Sequence, residues 1–246
     1  MSFDITVEGG KTVRLPTAGK YCDRDIVVTA TGGGGAVLED ELITHTLSIA
    51  EYSNDRVDSI GYGTFYDNKN LTKISAPKVT SIGGYAFYKC TSLESIDATL
   101  LKSAGTYAFS YTKLSKIDFP VLETITTYTF SDITVPTTVC LPSLTSAANS
   151  SFRNSKGITS VDFAIASKVD NLAFYFCNGL ETLILRKADK ICTLQNTNAL
   201  SSTKIANGTG YIYVPRALLE DYKTATNWSS FASQFRAIED YPDICG

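Results

Sequence analysis

The reactive side chains of this 246-residue chain are scarce where hydrolytic chemistry would need them. There is one histidine, His45. A Ser-His-Asp triad would have to use that residue, and a metal site built on two histidines is excluded. No serine, threonine or cysteine stands at a spacing that sets a base beside it. The 25 Asp and Glu residues give many carboxylate pairs but no reason to single one out as a glycosidase dyad. His45 is therefore read as structural. The six cysteines (Cys22, Cys90, Cys140, Cys177, Cys192, Cys245) lack CxxC or other ligand spacing, and read as thiols buried as small hydrophobes. Four glycines at 32–35 lack the GK[ST] sequel of a phosphate cradle and read as a linker. No catalytic residue, metal or cofactor is expected.

Charge narrows the partners. Twenty-two basic and 25 acidic residues give a formal net charge of -3, without a block of like charge that could track phosphates. Nucleic acid is not expected as a partner. No stretch reaches the roughly 20 apolar residues of a membrane span, so no insertion is expected. The opening MSFDITVEGGKTVRLPTAGK turns polar within four residues, which predicts that the chain does not use the general secretory route.

What remains is aromatic: 14 Tyr and 12 Phe against one Trp. Their positions are periodic. Phe65, Phe87, Phe109, Phe130, Phe152 and Phe174 follow one another at intervals of 22, 22, 21, 22 and 22. Five residues before them stand Ile60, Ile82, Ala104, Ile125, Ala147 and Val169. Nine after stand Ile74, Ile96, Val139, Val161 and Leu183, with Ile117 at eight. Leu71, Leu93, Ile158 and Leu180 occupy the sixth position after; Leu114 comes at five and Pro136 breaks the rule. A degenerate seventh copy is expected around Ile191 and Ile205, with Asn196 in the Phe position.

A 22-residue unit cannot enclose a core alone and must stack on its neighbours. The predicted fold is a repeat solenoid with one short parallel strand per turn in the LxxIxx segment, and with the Phe rings filling the interior. Side chains flanking the buried Ile should point to the opposite face of that strand. This places Ser95, Asp97, Lys116, Asp118, Ser160 and Asp162 on an exposed surface, with Asp97 and Asp118 on adjacent rungs and Lys116 available to neutralise them. Two further slots recur. Tyr85, Tyr107 and Tyr128 lie two before Phe, and Tyr66, Tyr88 and Tyr175 one after it. A phenol ring is apolar with a polar tip, which suits protein partners and sugars as well as packing between turns. These twelve residues are the candidate binding positions.

The phrases SIGGYAFYKCTSLESIDA and KVDNLAFYFCNGLETLIL resemble the BspA-like, or treponemal-type, leucine-rich repeat family, whose phrase is close to IGxxAFxxCxxLxxIxIP. The likeness spans roughly residues 55–205. It implies a curved solenoid used for protein or glycan recognition, often at microbial surfaces, rather than an enzyme. Cys90 and Cys177 occupy the family's Cys slot, filled elsewhere by Asn68, Thr112, Ile133 and Ser155. Four turns separate the two thiols, about 19 Å, too far for a disulfide, which needs Cα atoms within about 7 Å.

The ends differ from the repeats. Residues 1–31 read as a small β module, with strand-like ITV and DIVVTA flanking KTVRLP and a turn at Gly9-Gly10; it resembles modules at the N-termini of phage and prophage tail-associated proteins. Residues 32–35 are the linker, 36–56 the N-terminal cap, 57–210 the solenoid and 211–246 a helical C-terminal cap. In that cap YIYV is a strand closed by Pro215, 216–225 a helix, and Asn227 the N-cap of a second helix carrying Trp228, Phe231 and Phe235. Two settings follow. One is a virion (phage tail) component, attached to other virion proteins through residues 1–31 and binding a bacterial surface protein or glycan. The alternative is a bacterial cell-surface or extracellular adhesin. A homo-oligomer is compatible with both, although no segment reads as its interface.

Overall fold

The computed structural model describes the backbone of residues 2–7, 11–16 and 50–245, with side chains from residue 50 to residue 243. Cys22, the DIVVTA run, the 32–35 linker, most of the 36–56 cap and His45 lie outside the described residues. At the front, β1 (Ser2–Val7) pairs antiparallel with β2 (Lys11–Pro16), from Ser2↔Pro16 to Val7↔Lys11. KTVRLP, expected between two strands, is itself the second strand. Val13 and Leu15 alternate with Thr12 and Arg14, a strand pattern, and Pro16 stands at the strand's end, where a missing N–H is tolerated.

From residue 50 the repeat builds a solenoid of stacked parallel strands. Each turn carries two strands, where one was expected. The longer ladder runs through Glu51–Ser53, Lys73–Ser75 and Ser95–Asp97, and then through Lys116–Asp118, Thr137–Cys140, Ile158–Phe163, Thr182–Leu185, Tyr211–Val214 and Phe235–Ala237. A second ladder of two-residue strands begins with Ser59–Ile60, Ser81–Ile82, Ser103–Ala104 and Thr124–Ile125. In these a polar residue faces out and the apolar residue five before Phe faces in. Equivalent residues stack in register, Ile74 on Ile96 and Val139 on Val161.

The Phe-bearing turn closes the third side. Its rings stack through the interior with centroids 5.3, 5.5, 5.1, 5.5 and 5.1 Å apart from Phe65 to Phe174, and no pair is tilted by more than 14°. Tyr52 meets the first ring edge-on at 5.1 Å. Backbone bonds tie successive turns, Phe65 N–H to the Ala86 carbonyl at 2.8 Å and Phe130 N–H to that of Ser151 at 2.7 Å. The same bond runs from Phe174 to Ala199. Leu200, not Asn196, therefore fills the seventh Phe position, and it is fully buried. The chain between Leu183 and Leu194 is longer than in earlier turns and shifts the frame; Asn196 instead caps the short helix Thr197–Leu200.

Two expectations about strand neighbours and caps are corrected. The long ladder is interrupted between Ser95–Asp97 and Lys116–Asp118, which belong to different sheets. The unit after Phe109 is one residue shorter before its strand, so the rungs fall out of step and Ile96 is only partly buried. Asp97 pairs with Ser75, and Asp118 with Cys140; the two carboxylates are not adjacent rungs. At the far end, Asn227 has φ of +64 and makes no side-chain cap bond. Its amide donates to the carbonyls of Leu194 and Gln195 at 2.8 and 3.0 Å. Phe235 opens a strand that pairs with Tyr211–Val214. Trp228, fully buried, donates its indole N–H to the Cys192 carbonyl at 2.6 Å, and the Cys192 N–H donates to the Tyr222 hydroxyl at 2.8 Å.

Candidate functional site

The turn geometry sets what the Phe-bearing side displays. Residues two before and two after each Phe have positive φ in all six turns, as in Tyr85 and Lys89, Tyr107 and Tyr111, and Tyr128 and Asp132. Glycine or asparagine is the cheap occupant of such a position. Gly63, Ser150 and Asn154 show that small residues suffice here. Tyr85, Tyr107 and Tyr128 nevertheless hold φ of +57, +56 and +60, at a cost of roughly 1–2 kcal/mol each. Neither strand pairing nor the Phe ladder requires a ring there.

These rings form one sheet on the surface. Tyr85 lies 5.1 Å from Tyr107, and Tyr107 stacks on Tyr128 at 4.7 Å with planes 4° apart. Tyr66 and Tyr88, from the slot after Phe, join at 5.3 Å from each other, and Tyr88 reaches Tyr85 at 5.4 Å. That second column stops where its slot holds Ser110 and Ser131, buried and hydrogen-bonded to each other at 2.8 Å. The ring of Tyr111 extends the sheet instead, 5.6 Å from Tyr88. Tyr175 stands apart from the sheet, stacked edge-on to Phe176 at 4.3 Å. Arg153 links the two groups: it lies 5.2 Å from the Tyr175 ring and donates to the Tyr128 hydroxyl at 3.4 Å. Burial raises the Tyr107 hydroxyl above its ordinary pKa, with neighbouring tyrosines adding to the effect. For Tyr111 burial acts first and Asp132 second.

Tyr62 and Tyr111 were missed by slot counting. Tyr62 is 69% exposed and packs 5.4 Å from Tyr85. The signal for Tyr111 was available in the symmetry of the turn about Phe, since it mirrors Tyr107. Tyr62 occupies a slot that later turns fill with Gly84, Thr106 and Thr127, so it carries no periodic signal.

On the strand side three of the four charged candidates are held in ion pairs, and Asp97 makes none among the described residues. Lys116 and Asp118, two apart on one strand and so on one face, are 2.6 Å apart. Arg186, from the next turn, holds Asp162 with three hydrogen bonds of 2.6–3.0 Å. Ser160 sits between Thr138 and Thr182, and Ser95 between Lys73 and the interruption of the ladder. Cys140 lies in register between Asp118 and Asp162. Burial first, then Asp162 and Asp118, push its thiol up, away from the thiolate a nucleophile needs.

The Cys slot has a structural use. The thiols of Cys90 and Cys177 each donate to the Phe carbonyl of the preceding turn, Phe65 and Phe152, at 2.9 Å. Ser155 does the same to Phe130 at 2.7 Å. Where the slot holds Ile133, Thr112 donates to its own turn's Phe109 carbonyl at 2.8 Å instead. The buried thiol of Cys90 is pushed up to about 12 by desolvation.

The sequence profile described as BspA type leucine-rich repeat region matches residues 58–181 in 6 copies. The chain belongs to this family. Its BspA type repeats share their fold with a leucine-rich repeat protein from Bacteroides ovatus, over 80% of this chain and 59% of that one, at 19% identity and a TM-score of 0.50. A T. pallidum leucine-rich repeat protein matches at 24% identity and TM-score 0.47, covering 55% of this chain and 69% of that one. A leucine rich cell surface protein from Faecalibacterium prausnitzii matches at 22% and 0.38, over 55% and 49%. The BspA type chain thus spans about half to two thirds of the length of these solved structures. No curated protein matches it.

Proposed function

We propose that this chain is a non-catalytic recognition protein that binds a bacterial surface protein or glycan through the tyrosine sheet. In the finer reading it is a phage tail-associated receptor-binding protein, held to other virion proteins through residues 1–31. The observation that carries the recognition reading is Tyr85, Tyr107 and Tyr128 at positive φ. Every turn takes the positive φ at this position but not every turn places a ring there, and a side chain that costs strain persists where it is required for something else. Ring and hydroxyl together offer apolar area and a hydrogen-bonding tip, the chemistry of interface hot spots. The BspA type repeat supports a second setting, a bacterial surface adhesin, in which the same sheet meets a host or neighbouring cell.

The test uses the intact chain and the triple variant Tyr85→Asn/Tyr107→Asn/Tyr128→Asn against whole bacterial cells and a glycan array. Asparagine tolerates positive φ, so the variant should keep its circular dichroism while losing at least about tenfold in affinity, or about 1.4 kcal/mol. Unchanged binding would remove the tyrosine sheet from the mechanism. Finding the chain in purified phage particles supports the virion setting; finding it only on bacterial envelopes supports the adhesin.

A further inference from the structure

Resting on the recognition reading, we propose that the tyrosine sheet takes an anionic polysaccharide laid along the axis of the stack. The polymer meets ring edges, phenol hydroxyls and surface cations, not ring faces. The first argument is geometric. A sugar that stacks on tyrosine needs an open face, and in the central column the faces are used up by one another: Tyr107 and Tyr128 are parallel at 4.7 Å, and Tyr85 lies 5.1 Å from Tyr107. Rings stacked along the axis turn edges and hydroxyls outward. The edge of an aromatic ring is the positive end of its quadrupole, so this column favours carboxylate or sulfate over a neutral sugar face.

Charge complementarity is the second argument. The chain carries a net charge of -3, yet the sheet is bordered by cations. Lys89 lies 5.3 Å from the Tyr88 ring, and Arg153 reaches Tyr128 and Tyr175. Lys113 and Lys156 are exposed, each four residues after its Phe. Among the described residues no carboxylate pairs with Lys89, Lys113 or Lys156. Two aspartates on this side work against that excess: Asp67 lies 3.8 Å from Lys69 with its Oδ1 making no hydrogen bond, and Asp132, which accepts from the neutral Asn154 amide at 2.5 Å, keeps its charge, so the cations outnumber the carboxylates rather than stand alone.

Periodicity is the third. Tyrosine rings recur at 4.7–5.6 Å across successive turns, and a polymer with one charge per sugar recurs too, whereas the surface of a globular protein without repeats does not. A repeating receptor gains from each added turn only when the ligand repeats as well.

The probe is polygalacturonate, compared with its methyl ester, which keeps the backbone and removes the charge, and with polyglutamate. The intact chain should bind polygalacturonate and not the ester. Binding should fall about tenfold in Lys89→Gln/Lys113→Gln/Lys156→Gln, because exposed pairings are individually weak and the three are lost together. It should be abolished near 1 M salt, where the screening length is about 3 Å. No binding to polygalacturonate, equal binding to the ester, or an unaffected lysine variant overturns the proposal. If the tyrosine variant still loses cell binding in that case, the recognition reading stands. Polyglutamate bound as tightly as polygalacturonate overturns the polysaccharide in favour of an acidic peptide. Indifference of every ligand to the tyrosines sinks both readings.

Discussion

The turn side and the strand side of this stack are built from the same 22-residue unit and treat charge and strain in opposite ways. On the strand side, the charges from Lys116 onward are settled internally, Lys116 on Asp118 and Arg186 on Asp162, while Lys73 and Asp97 on the earlier rungs make no ion pair among the described residues. The backbone there is extended, and toward the C-terminal end Ile184 is buried and the Arg236 guanidinium lies 4.4 Å from the ring of the still exposed Tyr211. On the turn side, bulky rings sit at positive φ and several cations lack an acidic partner among the described residues. A surface that neutralises itself is finished as structure. A surface that carries strain and uncompensated charge is held ready for something outside the chain.

The comparison can be broken most severely from within, because both sides rest on the Phe ladder. Phe109 is fully buried and stacks on Phe87, Phe119 and Phe130 at 5.5, 5.8 and 5.1 Å. Phe109→Ala removes a ring from the middle of that column and should cost about 3–5 kcal/mol, read as a lower urea midpoint. Tyr107 and Tyr111 flank this residue, so near-UV dichroism of the tyrosines should weaken at temperatures where the strands persist. A loss below about 1 kcal/mol would mean that the turn side does not depend on the ladder.

That ladder was legible in the sequence because a core position has little freedom: six Phe hold one place, and the seventh copy fills it with the buried Leu200. The Cys slot, which holds Asn, Cys, Thr, Ile and Ser in different turns, was legible only through the family resemblance, and its bond to the preceding turn was not legible at all. Other features escaped for identifiable reasons. The second ladder uses two-residue strands, too short for alternation to register against background. The positive-φ positions were hidden by their occupants, since Tyr, Lys, Leu and Phe contradict the Gly and Asn signal on which turn reading relies. One missing residue before Leu114 misplaced Asp97 against Asp118, and the longer link after Leu183 put Asn196 where Leu200 belongs. Frame-counting fails at insertions because the fold keeps the stack and lets the loop absorb the difference. Of the candidate site, the tyrosine columns were visible as spacing. The columns meet through Tyr88, which lies 5.4 Å from Tyr85 and 5.6 Å from Tyr107, and the sheet is widened by Tyr62 and Tyr111, one of them outside any repeating slot.

On the strand side the two ion pairs allow a graded test. Asp162 is held by three hydrogen bonds, and the Arg186 and Asp162 side chains are 31% and 22% exposed. Asp162→Ala should lower stability by about 1–2 kcal/mol, since a partly buried guanidinium loses charge-assisted bonds. Lys116 and Asp118 are 64% and 38% exposed, and Lys116→Ala should cost less than about 1 kcal/mol. Thermal melts of both variants, with binding to cells measured in parallel, sharpen the contrast: stability should move and binding should not. A loss of binding in either variant would bring the strand side into the recognition surface.

The most nearly cancelling stability effect belongs to the residue with the largest expected role. Tyr107→Asn gives up stacking on Tyr85 and Tyr128, about 1–3 kcal/mol for two aromatic pairs. It also relieves the cost of a ring at φ of +56, roughly 1–2 kcal/mol. The two terms oppose each other, so the stability read from the urea midpoint should lie between a gain of about 1 kcal/mol and a loss of about 2 kcal/mol. Ser150 occupies the equivalent position two turns along with φ of +55, which shows that the turn forms without a ring. A destabilisation of about 3 kcal/mol or more would make Tyr107 a structural residue like Phe109, and the difference between the two sides of the stack would then be one of exposure alone.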